Sequence, residues 1–200
     1  MDIRVYGSKR RIVDGLFDCL KEKPLKEVLN QDIIKKAEIS SRTFYRYYSD
    51  KNEIVDEFEK AFIDGLNEAL EKDREVLANL DHKPNKEEIF ELADVAFQNT
   101  LKFCIPFKEQ GKIMLSKNGD IKFLWMIREA AEAEFGKRKK MLYGENVTSN
   151  PFIERLYVGE IILTIETWLS YDDELSPQQI RTLIGQVQVM SPAELLELGL

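Results

Sequence analysis

Apolar residues recur three and four positions apart along most of this 200-residue chain, and this spacing constrains the fold more than any other feature. Near the N-terminus the pattern is carried by Ile12, Leu16 and Phe17, which lie on one face of a helix. No segment shows the strict alternation of apolar and polar residues that predicts a strand. Only 10 Gly and 6 Pro residues are available for turns. The sequence therefore predicts an all-α fold.

Short polar signals predict where the helices begin. Ser8 is placed to cap the first helix and Asn30 to cap the second. Asp50, with Glu53 three residues later, predicts a capping box ahead of a long helix. Proline in the first helical position follows Asn150, Ser176 and Ser191. The predicted helices cover about residues 8–22, 31–37, 41–47, 51–75, 86–107, 109–117, 120–143, 151–171, 177–189 and 192–198, the last one ending before Gly199.

Charge is distributed unevenly along the chain. Residues 1–52 contain 12 Lys and Arg against 8 Asp and Glu, a net charge of +4, whereas the remaining residues bring the whole chain to −7. A basic segment joined to an acidic one predicts that the basic segment contacts a polyanion. Chance clustering of charges is the alternative interpretation of this difference.

Several functional classes find no support in the sequence. The N-terminus has no apolar region typical of a signal peptide, and no apolar run is long enough to span a bilayer, so a cytoplasmic protein with no membrane partner is expected. Cys19 and Cys104 are predicted to be buried, reduced side chains. With His82 as its single histidine, and without a phosphate loop or nucleophile elbow, the chain is expected to have no metal site, no cofactor and no enzymatic activity.

Residues 31–48 have the spacing of a helix-turn-helix, and the preceding helix can complete a three-helix bundle. Phe44 and Tyr48 lie four residues apart and share a face that can pack on the bundle. Arg42 and Arg46 occupy the opposite face beside Thr43. Arginine can bind guanine through two hydrogen bonds, and threonine can contact a thymine methyl group. The same pattern also fits an ordinary surface helix with solvated arginines.

The segment that runs from Asp32 to Ile54, with Thr43-Phe44-Tyr45 and Asp50-Lys51 inside it, resembles the N-terminal domain of TetR-family transcriptional regulators. The resemblance covers about residues 8–55. A second and looser resemblance, to low-GC Gram-positive members of the family, extends from Trp168 to Pro177. The chain departs from the family pattern in three places, since Ile34, Glu38 and Tyr47 replace the commoner Ala, Gly and His. Glycine at position 38 would allow a positive φ in the turn.

The resemblance implies a helix-turn-helix domain over residues 1–52, a long linking helix over 51–75, and a larger helical domain over 53–200 for ligand binding and dimerisation. It also implies a homodimer that binds a pseudo-palindromic operator in double-stranded DNA and releases it when a small-molecule effector binds. The alternative is a coactivator or protein-interaction module of the same fold that binds no DNA. By position, the base-reading candidates are Ser41, Arg42, Thr43 and Arg46, and the phosphate-binding candidates are Tyr45, Tyr47, Lys51, Asn30 and Gln31.

Two further sets of residues follow from the resemblance. The last two long helices occupy the position of the family's four-helix dimer interface, and the interface candidates are Leu156, Ile165, Trp168, Ile180, Ile184 and Val187. The candidate linings of an effector pocket are Phe97, Phe103, Phe107, Trp125, Met126 and Tyr157. Core packing is the alternative role for both sets. The acidic run through Glu134 and the basic run over 137–140 are predicted to be solvated faces.

Overall fold

The computed structural model describes residues 3–78, 80, 82–144, 148, 150–170 and 175–198. Every regular element within these ranges is helical, so the predicted all-α class is confirmed. In chain order the helices are α1 Ile3–Glu22, α2 Asn30–Lys36, α3 Ser41–Tyr47, α4 Lys51–Leu77, α5 Lys86–Ala96, α6 Gln98–Cys104, α7 Lys108–Leu115, α8 Ile121–Tyr143, α9 Pro151–Ser170, α10 Pro177–Val189 and α11 Pro192–Glu197, with 3-10 turns at Leu25–Glu27 and Ile105–Phe107. None of these helices is long and apolar enough to cross a bilayer.

Helix starts match the predicted caps at some positions and not at others. The Ser176 and Ser191 side chains cap α10 and α11 as predicted. Helix α1 begins before Ser8, which therefore lies inside the helix, and α2 begins at Asn30 rather than after it. Asp50 accepts from the Glu53 amide as predicted, but the Glu53 carboxylate accepts from the amide of Ser49. The predicted helix ends at Tyr171 and before Gly199 fall on or beside residues outside the described ranges.

The helix predicted over 86–107 is broken at Phe97, where φ is −128° and ψ is 7°. Asp73 of α4 provides the reason for the break. Its carboxylate accepts from the backbone amides of Asn99 and Thr100 at 2.8 and 2.9 Å. Those amides are among the first of α6, which have no partner within their own helix. A distant carboxylate thus caps a new helix start, and the prediction of one continuous helix is wrong.

The chain divides into two compact units. The first comprises Met1–Phe62 and Glu109–Leu124, and the second comprises Ile63–Lys108 and Trp125–Leu200. The domain boundary expected between residues 52 and 53 stays a prediction.

Helices α1 to α4 form the core of the first unit. Fully buried side chains come from each of them, and Ile12, Ile33, Phe44 and Ile54 are all 0% exposed. Gly15 permits the close approach of α1 to α2, because a Cβ atom there would lie 2.9 Å from the Ala37 nitrogen. The helix-turn-helix is therefore held by a packed apolar core.

The second unit has its own core, in which α5, α9 and α10 pack together. Trp168 of α9 is buried there, and its indole N–H donates to the Leu175 carbonyl at 2.9 Å. Cys104 is also buried in this core, while Cys19 is buried in the first unit, and both are free thiols as predicted. Burial raises the pKa of Cys104 to about 12, so this thiol stays protonated near neutral pH.

Candidate nucleic-acid interface

Helix α3 is fixed at both ends by local contacts. Ser40 has extended backbone geometry and caps the helix, with its Oγ accepting from the Thr43 amide at 3.1 Å. On the inner face, Phe44 is 0% exposed and Tyr48 is 2% exposed. Both rings therefore anchor the helix to the bundle, as the sequence predicted.

The outer face of α3 brings four of the predicted residues together. Arg42, Thr43, Tyr45 and Arg46 line one open hollow on the surface. Arg42, Tyr45 and Arg46 are exposed and Thr43 is half-buried. Because Ser40 and the two buried rings fix the helix, these side chains project from a rigid support. The hollow combines cationic, hydroxyl and aromatic groups that suit phosphate and base-edge contacts.

Arg46 is oriented by its neighbour. Its Nη2 donates to the Tyr47 hydroxyl at 2.7 Å, and its guanidinium carbon lies 4.6 Å from the centre of the Tyr47 ring. This contact restrains a side chain that otherwise has many rotamers, which lowers the entropy lost on binding. Tyr47 replaces the histidine that is commoner in the family, and in this chain it positions Arg46. Ser41 and Gln31 are exposed beside this face.

The turn between α2 and α3 contains the positive φ that glycine would favour. Glu38 has a φ of 50°, the one non-glycine residue with positive φ among the described residues. The left-handed region costs a residue with a Cβ about 1–2 kcal/mol. Arg11 stabilises this conformation, since its Nη2 donates to the Glu38 carbonyl at 2.8 Å. The turn therefore keeps its geometry without glycine.

Lys51 and Asn30 are engaged inside the protein. The Lys51 ammonium donates to the carbonyls of Leu25 and Val28, each at 2.6 Å. It also donates to the Lys26 carbonyl at 3.3 Å. The Asn30 side chain accepts from the Lys51 amide at 3.0 Å and so caps α4, not α2. In this structure Lys51 connects the start of α4 to the segment that precedes α2, and Asn30 connects it to the first residue of α2.

The family comparison matches the part of the chain that contains this interface. Residues 12–58 match the model of bacterial regulatory proteins of the tetR family. The helix-turn-helix of this chain is of the TetR-family type. A TetR transcriptional regulator from Streptococcus agalactiae 2603V has a similar crystal structure, with a TM-score of 0.59 over 94% of this chain and 96% of that one. At 16% identity this likeness shows the fold alone. No curated protein matches the sequence.

In this chain the helix-turn-helix is followed by a larger helical region, which contains a cavity of about 370 Å³. Two of the predicted pocket residues, Phe97 and Tyr157, line this cavity. The other four predicted residues do not. Phe103 packs against Gly65 of α4, and Phe107 stacks on Phe103 with ring centroids 5.1 Å apart. Trp125 is 59% exposed, and Met126 is half-buried.

The cavity has a polar side that sequence reasoning missed. Glu134 is 4% exposed and pairs with Arg74 and Arg138, so it does not lie on a solvated face. Within the basic run, Lys139 pairs with Glu154 at 2.5 Å. Arg138 and Lys139 both line the cavity, so the prediction of a solvated basic run is wrong at these two positions. The i, i+4 spacing of Glu134 and Arg138 was a usable signal for their pair. The pairs with Arg74 and Glu154 required the packed helices.

The predicted dimer residues fall into two groups. Trp168, Ile180 and Ile184 are buried in the chain's own core at 7%, 1% and 1% exposure. Leu156 is 63% exposed on α9, while Ile165 and Val187 are half-buried. Alongside Leu156, helix α9 exposes Phe152 and Leu163. The sequence set therefore mixed core residues with residues of an exposed apolar surface.

Proposed function

We propose that this TetR-family regulator is a homodimeric repressor that binds a pseudo-palindromic operator through α3 and releases it when a small molecule occupies the larger unit. The observation that carries the DNA-binding part is the division of α3 into two faces. Its aromatic anchors are buried, whereas Arg42, Thr43 and Arg46 remain available on a rigid helix. Because operator DNA lies in the cytoplasm of a bacterial cell, we infer that the protein acts there.

In this proposal the α3 side chains divide between base edges and phosphates. Arg42 and Arg46 can each bind guanine through two hydrogen bonds, and Thr43 and Ser41 complete the base-reading set. Tyr45 and Tyr47 offer hydroxyl groups to the backbone. Gln31, exposed near the start of α2, is a further phosphate contact in this proposal. The same exposed cations favour DNA binding over a coactivator role that needs no DNA.

An exposed apolar stripe on α9 supports dimerisation. Phe152, Leu156 and Leu163 are 79%, 63% and 62% exposed, and their i, i+4 and i+11 spacing places them on one helix face. Helix α10 packs beside α9, and Leu163 and Leu183 line a shared hollow between the two helices. Exposed apolar surface of this kind marks a protein interface. A second copy of this chain, meeting the stripe with its own α9 and α10, would bury it.

Selection of genomic fragments by the purified protein tests the proposed function. We expect enrichment of a short inverted repeat, and we expect the affinity for it to fall steeply as salt concentration rises. Recovery of fragments without a common sequence would count against the repressor and favour the coactivator alternative.

Arg42→Ala is expected to weaken operator binding by about 1–3 kcal/mol and to relax base preference at one position in each half-site, because it removes a base-edge contact. Tyr45→Phe is expected to weaken binding to all sequences alike. Both are measured by competition binding against single-base operator variants. Lys72→Ala, which removes an exposed cation of α4, is the control and should leave the preference unchanged. Uniform weakening by Arg42→Ala would remove the base-reading role.

Lys51→Met is expected to lower the free energy of unfolding by about 1–2 kcal/mol, because three backbone carbonyls lose their charged donor. Urea unfolding measures this loss, and the salt dependence of operator binding is measured on the same variant. If Lys51 instead serves only a phosphate, stability will be unchanged and the salt slope will fall by about one. The two roles therefore give different results.

A further inference from the structure

One side of the cavity in the second unit is apolar. Leu77 of α4, Ile89 of α5 and Phe135 of α8 contribute to it, together with Phe97 and Tyr157. A volume of about 370 Å³ lies at the lower end of the range for small-molecule sites. Apolar surface of this kind favours the carbon skeleton of a small ligand over a sugar or a nucleotide.

Arg138 lies on the polar side, where its guanidinium donates to two acceptors and its Cζ lies 5.3 Å from the centre of the Phe97 ring. Its Nε donates to Glu134 at 3.0 Å, and its Nη1 donates to the Ala96 carbonyl at 3.2 Å. That carbonyl is free to accept because the helix breaks after Ala96 and the Thr100 amide donates to Asp73. Glu134 is in turn held by Arg74. The helix break and the ion pairs therefore orient Arg138 before any ligand arrives.

The remaining nitrogen of this guanidinium, Nη2, is buried and donates to no acceptor among the described residues. Buried polar groups in proteins are nearly always hydrogen-bonded, and a buried charged donor without an acceptor is costly. A ligand acceptor in the cavity that Arg138 lines would complete the set.

The charged groups beside the cavity form ion pairs. Arg74 and Arg138 share the buried carboxylate of Glu134, and Arg74 also pairs at 3.4 Å with Glu71, whose side chain is 64% exposed. Lys139 is balanced by Glu154. Tyr157 adds no charge, because burial raises its pKa to about 12, and its hydroxyl donates to the Gln188 side chain at 2.6 Å. An anionic group in the cavity would complement the buried Arg138 guanidinium, whose Nη2 has no acceptor among the described residues.

We propose that this cavity binds a small monocarboxylate with an apolar body, with the carboxylate bound by Arg138 and the body enclosed by the apolar side. This inference rests on the proposed function in one respect, which is that the bound monocarboxylate acts as the effector that releases DNA. The binding itself depends only on the cavity, and it is measured without DNA.

Calorimetry with octanoate, octanol and octylamine tests the charge of the ligand on the unaltered full-length protein. These probes share one chain and differ in the head group. We expect saturable binding of octanoate, at least about tenfold tighter than octanol, because the carboxylate forms a charge-assisted hydrogen bond. Octylamine should show no saturable binding. Equal affinity for octanoate and octanol, or no binding of octanoate, would overturn the proposal.

Arg138→Gln tests the location. We expect at least about a tenfold loss of octanoate affinity and little change for octanol. Because this variant removes a partner of buried Glu134, the double variant Glu134→Gln with Arg138→Gln provides a second test with the same expected loss. Lys140→Gln is the matched control, since Lys140 is an exposed cation of the same helix that does not line the cavity, and octanoate affinity should be unchanged. Octanoate affinity that is unchanged in both Arg138 variants would overturn the assignment.

Operator binding is then measured with octanoate present. Release of DNA would support both the site and the effector role. If octanoate binds through Arg138 and the DNA complex is unaffected, the inferred site stands and the ligand-release part of the proposed function fails.

Discussion

The double substitution Leu156→Glu with Leu163→Glu is expected to produce a monomer and to reduce operator affinity by a factor on the order of 10² or more. The two leucines lie on one face of α9 and are 63% and 62% exposed in the single chain. Two carboxylates in an apolar interface would be desolvated without a partner. A monomer has one α3 for an inverted repeat and loses the effective concentration that links two half-sites.

Light scattering during size-exclusion chromatography measures the oligomeric state, and operator titration measures the affinity. Ile121→Glu is the matched control, because Ile121 is 68% exposed but lies on α8 and outside the apolar stripe. It should remain a dimer with unchanged affinity. A dimeric double variant would show that the stripe on α9 is not the interface, and a monomer that retains full affinity would show that DNA binding does not need the dimer.

Asp73→Ala is expected to lower the free energy of unfolding by about 3 kcal/mol, the largest stability effect that we predict for a single substitution. Asp73 is 0% exposed and accepts from two backbone amides. The Asn99 side-chain amide and the Thr100 hydroxyl also donate to it, at 2.9 and 2.7 Å. Alanine would leave these four donors without their acceptor, two of them at the start of α6.

Urea unfolding followed by circular dichroism measures this effect. Asp73→Asn should cause an intermediate loss, since its amide keeps one carbonyl acceptor. Glu75→Ala serves as the control, because Glu75 is exposed on the same helix and its removal should change stability by less than about 0.5 kcal/mol. Equal unfolding midpoints for Asp73→Ala and Glu75→Ala would show that the carboxylate is dispensable.

The helix break at Phe97 also explains why the sequence did not predict that Arg138 lines the cavity. An unbroken helix would satisfy the Ala96 carbonyl internally and leave Arg138 without its second anchor. Asp73 stabilises the start of α6 after the helix break, and the break leaves the Ala96 carbonyl available to Arg138. The residues next to position 138 in the sequence do not predict this contact with Ala96.

The sequence alone determined those features that depend on neighbours a few residues apart. Helical periodicity predicted the all-α class, the Ser176 and Ser191 caps predicted two helix starts, and the spacing of Phe44 and Tyr48 predicted which face of α3 is buried. Even the positive φ at Glu38 was foreseeable, because the family pattern has glycine there. These features depend on hydrogen bonds and side-chain spacing within about one or two helical turns.

Only the tertiary structure decided where distant polar groups meet. Lys51 donates to carbonyls more than 20 residues away, Asp73 caps a helix 26 residues further on, and Glu134 joins Arg74 to Arg138. The same holds for Trp168, Ile180 and Ile184, whose apolar side chains fit an interface or a core equally well until the helices pack. Sequence spacing reports the direction of a side chain on its own helix, whereas its partner is set by the packing of other helices.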